Sequence, residues 1–194
     1  KPSYPTRYYI VVVILFLCSL SLHAQTDSLQ GKSYEELIKL FDANIRENSA
    51  KAKIYATTAY QLAKEENNSE KMMLAKYNVA HSNYAIAEYV TSIKNLDEVI
   101  EIAKKLNDNL LLFRSHNLKG NNLCDLNKDN EGFDQYKEAR KYAKLTKDPI
   151  NETTVAINIA LIKKVHKDYK ESINILLKNL EILKTLDNQS KEKV

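Results

Sequence analysis

The 194 residues include only three glycines, three prolines and two cysteines, and no tryptophan. Pro2 and Pro5 lie at the N-terminus, so after Pro5 only Pro149 can interrupt a helix. A β-rich chain of this length needs more turn punctuation than that, and the abundance of Leu, Ala, Lys, Glu and Asn points to an all-α fold. No glycine-rich loop is present to cradle a phosphate. Histidine is scarce, and His81, His116 and His166 form no His-x-x-x-His pattern; Cys18 and Cys124 form no Cys-x-x-Cys. The usual spacing of a metal site is therefore missing, and neither a metal nor a cofactor is expected. Acidic pairs such as Glu65-Glu66 and Asp97-Glu98 are sequence neighbours, which on a helix do not share a face. With no nucleophile–base set in view, a catalytic role has no residue support.

A strong charge of either sign is also lacking. Of the 29 basic residues, Lys1 and Arg7 fall before Gln25, where there is no acid, which leaves 27 bases against 25 acids beyond (29 − 2 = 27). No basic run is dense enough to make nucleic acid or an anionic membrane the main partner.

Only one long apolar run occurs. Ile10–Leu22, IVVVILFLCSLSL, follows a basic segment and precedes His23-Ala24-Gln25. The order of basic segment, short apolar segment and small residue predicts a signal peptide over residues 1–24, cleaved after Ala24. A helix of that length rises about 20 Å, short of the roughly 30 Å of a bilayer core. Cys18 is preceded by Phe16-Leu17, bulky where a lipoprotein signal wants small residues. If Cys18 leaves with the signal, Cys124 is a lone thiol without an internal disulfide, read as a small, half-buried helix residue. The expected location is outside the cytoplasm, in the periplasm or cell envelope. Membrane contact is expected only through an uncleaved signal or a segment beyond this sequence.

What the chain does have is a register. AKEENNS begins at Ala63, AKKLNDN at Ala103, AKLTKDP at Ala143 and LKTLDNQ at Leu183, at one constant interval. The columns agree without insertion: Ala52, Ser92, Gly132 and Ser172 are small, as are Ala80, Gly120 and Ala160, where Leu40 is the exception. Lys64, Lys104, Lys144 and Lys184 are identical. Within one interval Leu74, Tyr77, Ala80, His81 and Tyr84 recur at helical spacing, followed by Ile93, Leu96, Val99, Ile100 and Ala103. Each unit is thus a hairpin of two helices of about sixteen residues, too small to bury its own apolar face, so it must stack on its neighbours. The Asn/Asp clusters near 67, 108, 129 and 148 interrupt the pattern too often for a long coiled coil. The prediction is an α-solenoid of stacked antiparallel helix pairs. Units fall at about 33–68, 69–108, 109–148 and 149–188, after a linker over 25–32 and before a further helix starting in 189–194. The small columns face one another between the helices of a pair and let them approach closely.

Tyr77-Asn78-Val79-Ala80 and Ile157-Asn158-Ile159-Ala160 resemble the aromatic-Asn-Leu-Gly run of a tetratricopeptide (TPR) first helix. Gly120, Leu123, Gly132, Tyr136 and Ala139 fall at that family's small, large, small, aromatic and Ala positions. Lys167-Asp168-Tyr169 is similar to its Gly-Asp-Tyr turn, with Lys in place of Gly. The unit is longer than is usual in the family, and the first unit is degenerate. The resemblance spans residues 33–188 and implies a TPR superhelix that holds a protein or peptide in a concave groove lined by the first helices. Carried over by position, the groove comprises Leu37, Phe41 and Asn44; Tyr77, His81 and Tyr84; Arg114, Asn117, Asn121 and Cys124; and Ile157, Leu161 and Lys164. Each set lies on one helix face. These residues suit amide and aromatic contacts to an extended segment, without a Lys/Arg cluster that would demand an acidic one. The array also resembles the N-terminal TPR region of Bacteroidetes-type envelope and sensor proteins, where a membrane helix and then a histidine kinase or a LuxR-type regulator domain follow. That resemblance offers the alternative of an extracytoplasmic sensor region.

Overall fold

The computed structural model describes Leu29 and residues 31–191, with side chains to residue 186. Eight helices make up the described residues: α1 (Tyr34–Asn44), α2 (Ser49–Glu65), α3 (Ser69–Ala85), α4 (Tyr89–Leu106), α5 (Asn109–Asp125), α6 (Asp129–Leu145), α7 (Pro149–Val165) and α8 (Tyr169–Lys191). Each packs on the next, and α3 also touches α5. The result is an α-solenoid of four antiparallel pairs. The starts of α4, α6 and α8 (Tyr89, Asp129, Tyr169) keep the interval of the sequence register, as do those of α3, α5 and α7 (Ser69, Asn109, Pro149). The sequence register is therefore the structural one.

The chain reverses through a left-handed residue six times, and in five of them the next amide bonds back into the helix. Asn67, Ala87, Asn107, Asn127, Lys147 and Lys167, evenly spaced along the chain, all have φ between 51° and 62°. A left-handed residue just past a helix lets the next amide reach back to a carbonyl of the last turn. Asn68 N–H donates to Ala63 O at 3.0 Å, Glu88 to Asn83 O at 2.8 Å, Asp108 to Ala103 O at 3.0 Å, Lys128 to Leu123 O at 2.8 Å and Asp168 to Lys163 O at 2.8 Å. The residue after the turn then caps the following helix: Asn68 Oδ1 accepts from Lys71 N–H and Asp108 Oδ1 from Leu111 N–H. Glu88 and Lys128, the equivalents before α4 and α6, make no such bond. The first helices are therefore the better capped at these turns.

The small columns meet as the register requires. Ala80, Gly120 and Ala160 are buried, as are Ser92, Gly132 and Ser172. Ser92 Oγ donates to Ala80 O and Ser172 Oγ to Ala160 O, both at 2.8 Å. The third pair has glycine at both positions instead, with the Tyr136 ring against Gly120 and Cys124 Sγ against Gly132.

Both ends depart from the sequence expectation. α1 has eleven residues where the other first helices have seventeen, and it opens on a capping box in which Ser33 and Glu36 each bond the other's backbone N–H. Leu29, within the expected linker, is buried in the core cluster that holds Leu37 and Phe41. At the other end the register predicts that LKTLDNQ closes a helix as its three counterparts do, but α8 continues through it to Lys191. The other three reversals are held by the following first helix packing back; among the described residues none follows α8. The expected signal peptide of residues 1–24 and the end of the sequence lie outside the described residues. No described helix is long and apolar enough to cross a membrane.

Candidate functional site

The expected groove residues lie on successive first helices and differ in access along the chain. At the N-terminal end Leu37 and Phe41 are buried. They belong to the core of the first pair, which corrects their assignment to the groove: the short α1 turns this face inward, and the edge of the Phe41 ring is covered by His81 at 6.2 Å. Asn44 turns its amide back to Leu40 O at 2.8 Å.

In the second pair Tyr77, His81 and Tyr84 are half-buried. Tyr77 lies 6.3 Å from His81, and Tyr84 lies 5.9 Å from Tyr89. Burial holds the His81 pKa below its ordinary value, so the ring is neutral near pH 7, and it pushes Tyr77 up to about 12. The charge of Arg114, on the next first helix, opposes the shift at Tyr77.

In the third pair Asn117 and Asn121 are already in use. Asn158 Nδ2 donates to Asn117 Oδ1 at 2.9 Å and, more weakly, to Asn121 Oδ1 at 3.4 Å. Tyr136 OH donates to Asn121 Oδ1 at 2.7 Å. This network ties α5 to α6 and α7, so Asn121 has a structural duty whatever else it does. Burial raises the Cys124 pKa, which keeps the thiol protonated and a poor nucleophile. Arg114 is exposed.

In the fourth pair the row opens. Ile157 and Lys164 are exposed, and Leu161 is 51% exposed. Sequence reading did not assign to the groove four other exposed apolar residues of these helices, Leu74, Leu110, Ile150 and Val165. Leu74 occupies the column of Arg114 one unit earlier, and Val165 follows Lys164. It also passed over Asn158, whose amide partners lie on a different first helix, one unit earlier. The Leu74–Arg114 column could have been found from the repeat interval; the amide network could not. His116, remote from the row, stacks on Tyr142 at 5.6 Å, with Nδ1 2.9 Å from Gln135 Oε1. Among the described residues no group of three or more His, Cys, Asp or Glu is placed to hold a metal ion.

Two solved structures share this architecture. The apo form of RapI matches with a TM-score of 0.69 at 16% identity, covering 90% of this chain and 66% of its own. Aspartyl phosphate phosphatase F from Bacillus subtilis matches with a TM-score of 0.53 at 15% identity, covering 90% and 56%. The fold is a helical-repeat solenoid. The chain spans less than two thirds of either neighbour, and at such identities the likeness extends to the fold alone. No protein-family model matches the chain, and no curated protein matches it significantly.

Proposed function

We propose that the protein is a non-catalytic scaffold of the TPR kind, built on an unusually long repeat unit, that holds a protein or peptide partner along its first helices. The observation that carries this is the row itself. The second, third and fourth pairs carry Tyr77, His81, Arg114, Asn117, Ile157, Leu161 and Lys164 on consecutive first helices, a mixture of aromatic, cationic, amide and apolar groups. An extended segment laid across the row meets hydrogen-bonding groups in the third pair and apolar ones in the fourth. Arg114 and Leu161 are the accessible anchors; Asn121 and Phe41 shape the row from beneath. The phosphatase name of one structural neighbour belongs to that protein, since at 15% identity the likeness extends to the fold alone.

Export is part of the proposal and rests on the composition of residues 1–24. A second reading is the sensor region of a longer Bacteroidetes-type signalling protein, and it rests on the resemblance of the sequence to such N-terminal arrays. The reading frame past Val194 decides between the two: a membrane-length apolar run followed by a new domain supports the sensor, and a prompt stop supports the scaffold.

Site-specific photo-crosslinking in the producing cell tests the groove. A crosslinker at Arg114 or Leu161 is expected to yield one discrete adduct, absent when it is placed at the exposed second-helix position Lys105. Equal labelling from Lys105, or no adduct from either groove position, would refute it. Fractionation of the same cells tests export, which an unprocessed cytoplasmic product contradicts.

A further inference from the structure

Between the third and fourth pairs, on the side of the second helices, lies a cleft of about 620 Å³. Six cationic side chains line it: Lys137, Arg140, Lys141 and Lys144 from α6, Lys163 from α7 and Lys178 from α8. Glu171 is the single acid among its walls, and Phe133, Ile159 and Ile175 supply apolar surface. Four of the six cations come from one stretch of α6, Lys137 to Lys144, and stacking adds Lys163 and Lys178 from the two neighbouring helices.

The fold does not require these charges. One repeat earlier, at the equivalent junction, Lys137, Lys141 and Lys178 are replaced by Asp97, Glu101 and Glu138, and Arg140 and Lys163 by Ile100 and Leu123. That junction is closed by an ion pair, Lys119 Nζ to Asp97 Oδ1 at 2.5 Å. Here the equivalent of Lys119 is Ile159, and the cation Lys137 stands where the acid was. Some of the charge is met locally: Lys137 pairs with Asp134 at 2.6 Å, Lys163 with Asp168 at 3.2 Å and Lys141 with Glu138 at 3.8 Å. Lys137 and Lys163 also lie over the Phe133 ring, at 5.3 and 6.0 Å. Arg140, Lys144 and Lys178 have no ion-pair partner among the described residues. Gathered on one cleft, these cations make a positive field that favours an anionic occupant.

We propose that this cleft binds a short acidic peptide segment, its carboxylates meeting Arg140, Lys144 and Lys178 and one apolar side chain resting on Ile159 and Ile175. The apolar floor favours a peptide over a free anion. The adjoining acids Asp97, Glu101 and Glu138 oppose a long polyanion such as nucleic acid, which needs a continuous basic track. The site is separate from the first-helix row and holds whether or not that row binds a partner.

Fluorescence anisotropy with the full chain tests it, using a labelled Glu-Asp-Glu-Phe-Glu-Asp-Glu peptide as probe. Saturable binding is expected, weakened by added salt and reduced about tenfold or more by Arg140→Glu with Lys178→Glu. Both side chains are exposed; circular dichroism checks the fold, and Arg140→Gln with Lys178→Gln replaces the pair if reversal unfolds it. Replacing the probe's Phe by Ser should also weaken binding, whereas Arg114→Glu, in the first-helix row, should not. Undiminished binding by the charge variants, equal binding of a Gln-Asn-Gln-Phe-Gln-Asn-Gln probe, or tighter binding of a single-stranded oligonucleotide overturns the proposal.

Discussion

Gly120→Ala adds one methyl group at a buried, helical position, and its sign separates two physical effects. Helix propensity alone favours alanine by about 0.5–1 kcal/mol. But the new Cβ would stand 2.5 Å from Tyr136 Cε1, 2.6 Å from Cδ1 and 3.0 Å from Cζ, against an ordinary carbon contact of about 3.5–4.0 Å. The ring must retreat by roughly an ångström. It is buried, and its hydroxyl is held by Asn121 Oδ1 at 2.7 Å. Overpacking of this kind costs about 1–3 kcal/mol, so a net loss of about 0.5–2 kcal/mol is expected once propensity is subtracted. For an array of this size that lowers the melting temperature by about 2–4 °C per kcal/mol. The second pair shows the compensation: Ala80 occurs with Leu96 where Gly120 occurs with Tyr136. Gly120→Ala combined with Tyr136→Leu should therefore cost less than the two changes summed, with a coupling of about 1 kcal/mol or more. Urea unfolding followed by far-UV circular dichroism measures all three variants. If Gly120→Ala raises the midpoint, or the double variant is merely additive, the argument for a glycine set by Tyr136 is wrong.

Further outcomes follow from the same geometry. Gly132→Leu drives a side chain into Cys124 Sγ, 2.5 Å from where a Cβ would sit, and should lower stability by about 1–3 kcal/mol in the same urea assay. Lys167→Gly relieves a left-handed residue with φ 62° and should stabilise by about 0.5–1 kcal/mol, whereas Asn127→Gly gains less because asparagine tolerates that region. Asn121→Ala strands the Tyr136 hydroxyl and should cost about 1–3 kcal/mol, so a loss of partner binding in that variant must be compared with its urea midpoint. His116 is buried, and burial holds its pKa below the ordinary histidine value; Nε2 has no partner. The unfolded chain therefore binds the proton more readily. Stability is fully present above the ordinary histidine range of about 6.5 and falls as pH drops through that range toward the depressed folded value. His116→Phe, which keeps the stack on Tyr142, should flatten that acid slope in thermal melts between pH 7 and pH 5; an unchanged slope would assign it to other groups.

The repeat interval, the small columns and the all-α character were legible in the sequence because they are local. Helical spacing, a shortage of Gly and Pro, and Ala80 or Ser92 at a fixed offset each follow from one short stretch and its copies. The turns were legible as polar clusters, though not as one left-handed residue at each of the last six reversals, since Ala87 and Lys147 carry no sequence mark of that conformation. Less was readable at the ends, where a unit lacks a neighbour on one side: Leu29 joins the core, and α8 runs through a segment that elsewhere makes a turn. The row of first-helix residues followed from the interval. Whether a member is free to meet a ligand did not, because Asn121 is engaged by Tyr136 and Asn158, and Phe41 by His81. The sequence by itself thus determined the repeat, since a lone helical hairpin has an apolar face that only a copy of itself can cover. Only the tertiary structure decided which charges from different helices share one cleft. Lys137, Lys163 and Lys178 belong to three different helices, and opposite charges occupy the columns of Lys137 and Lys178 one unit earlier. Lys137, Arg140, Lys141 and Lys144 are one legible stretch of α6, but that Lys163 and Lys178 join them is decided by stacking, which sums side chains across a junction.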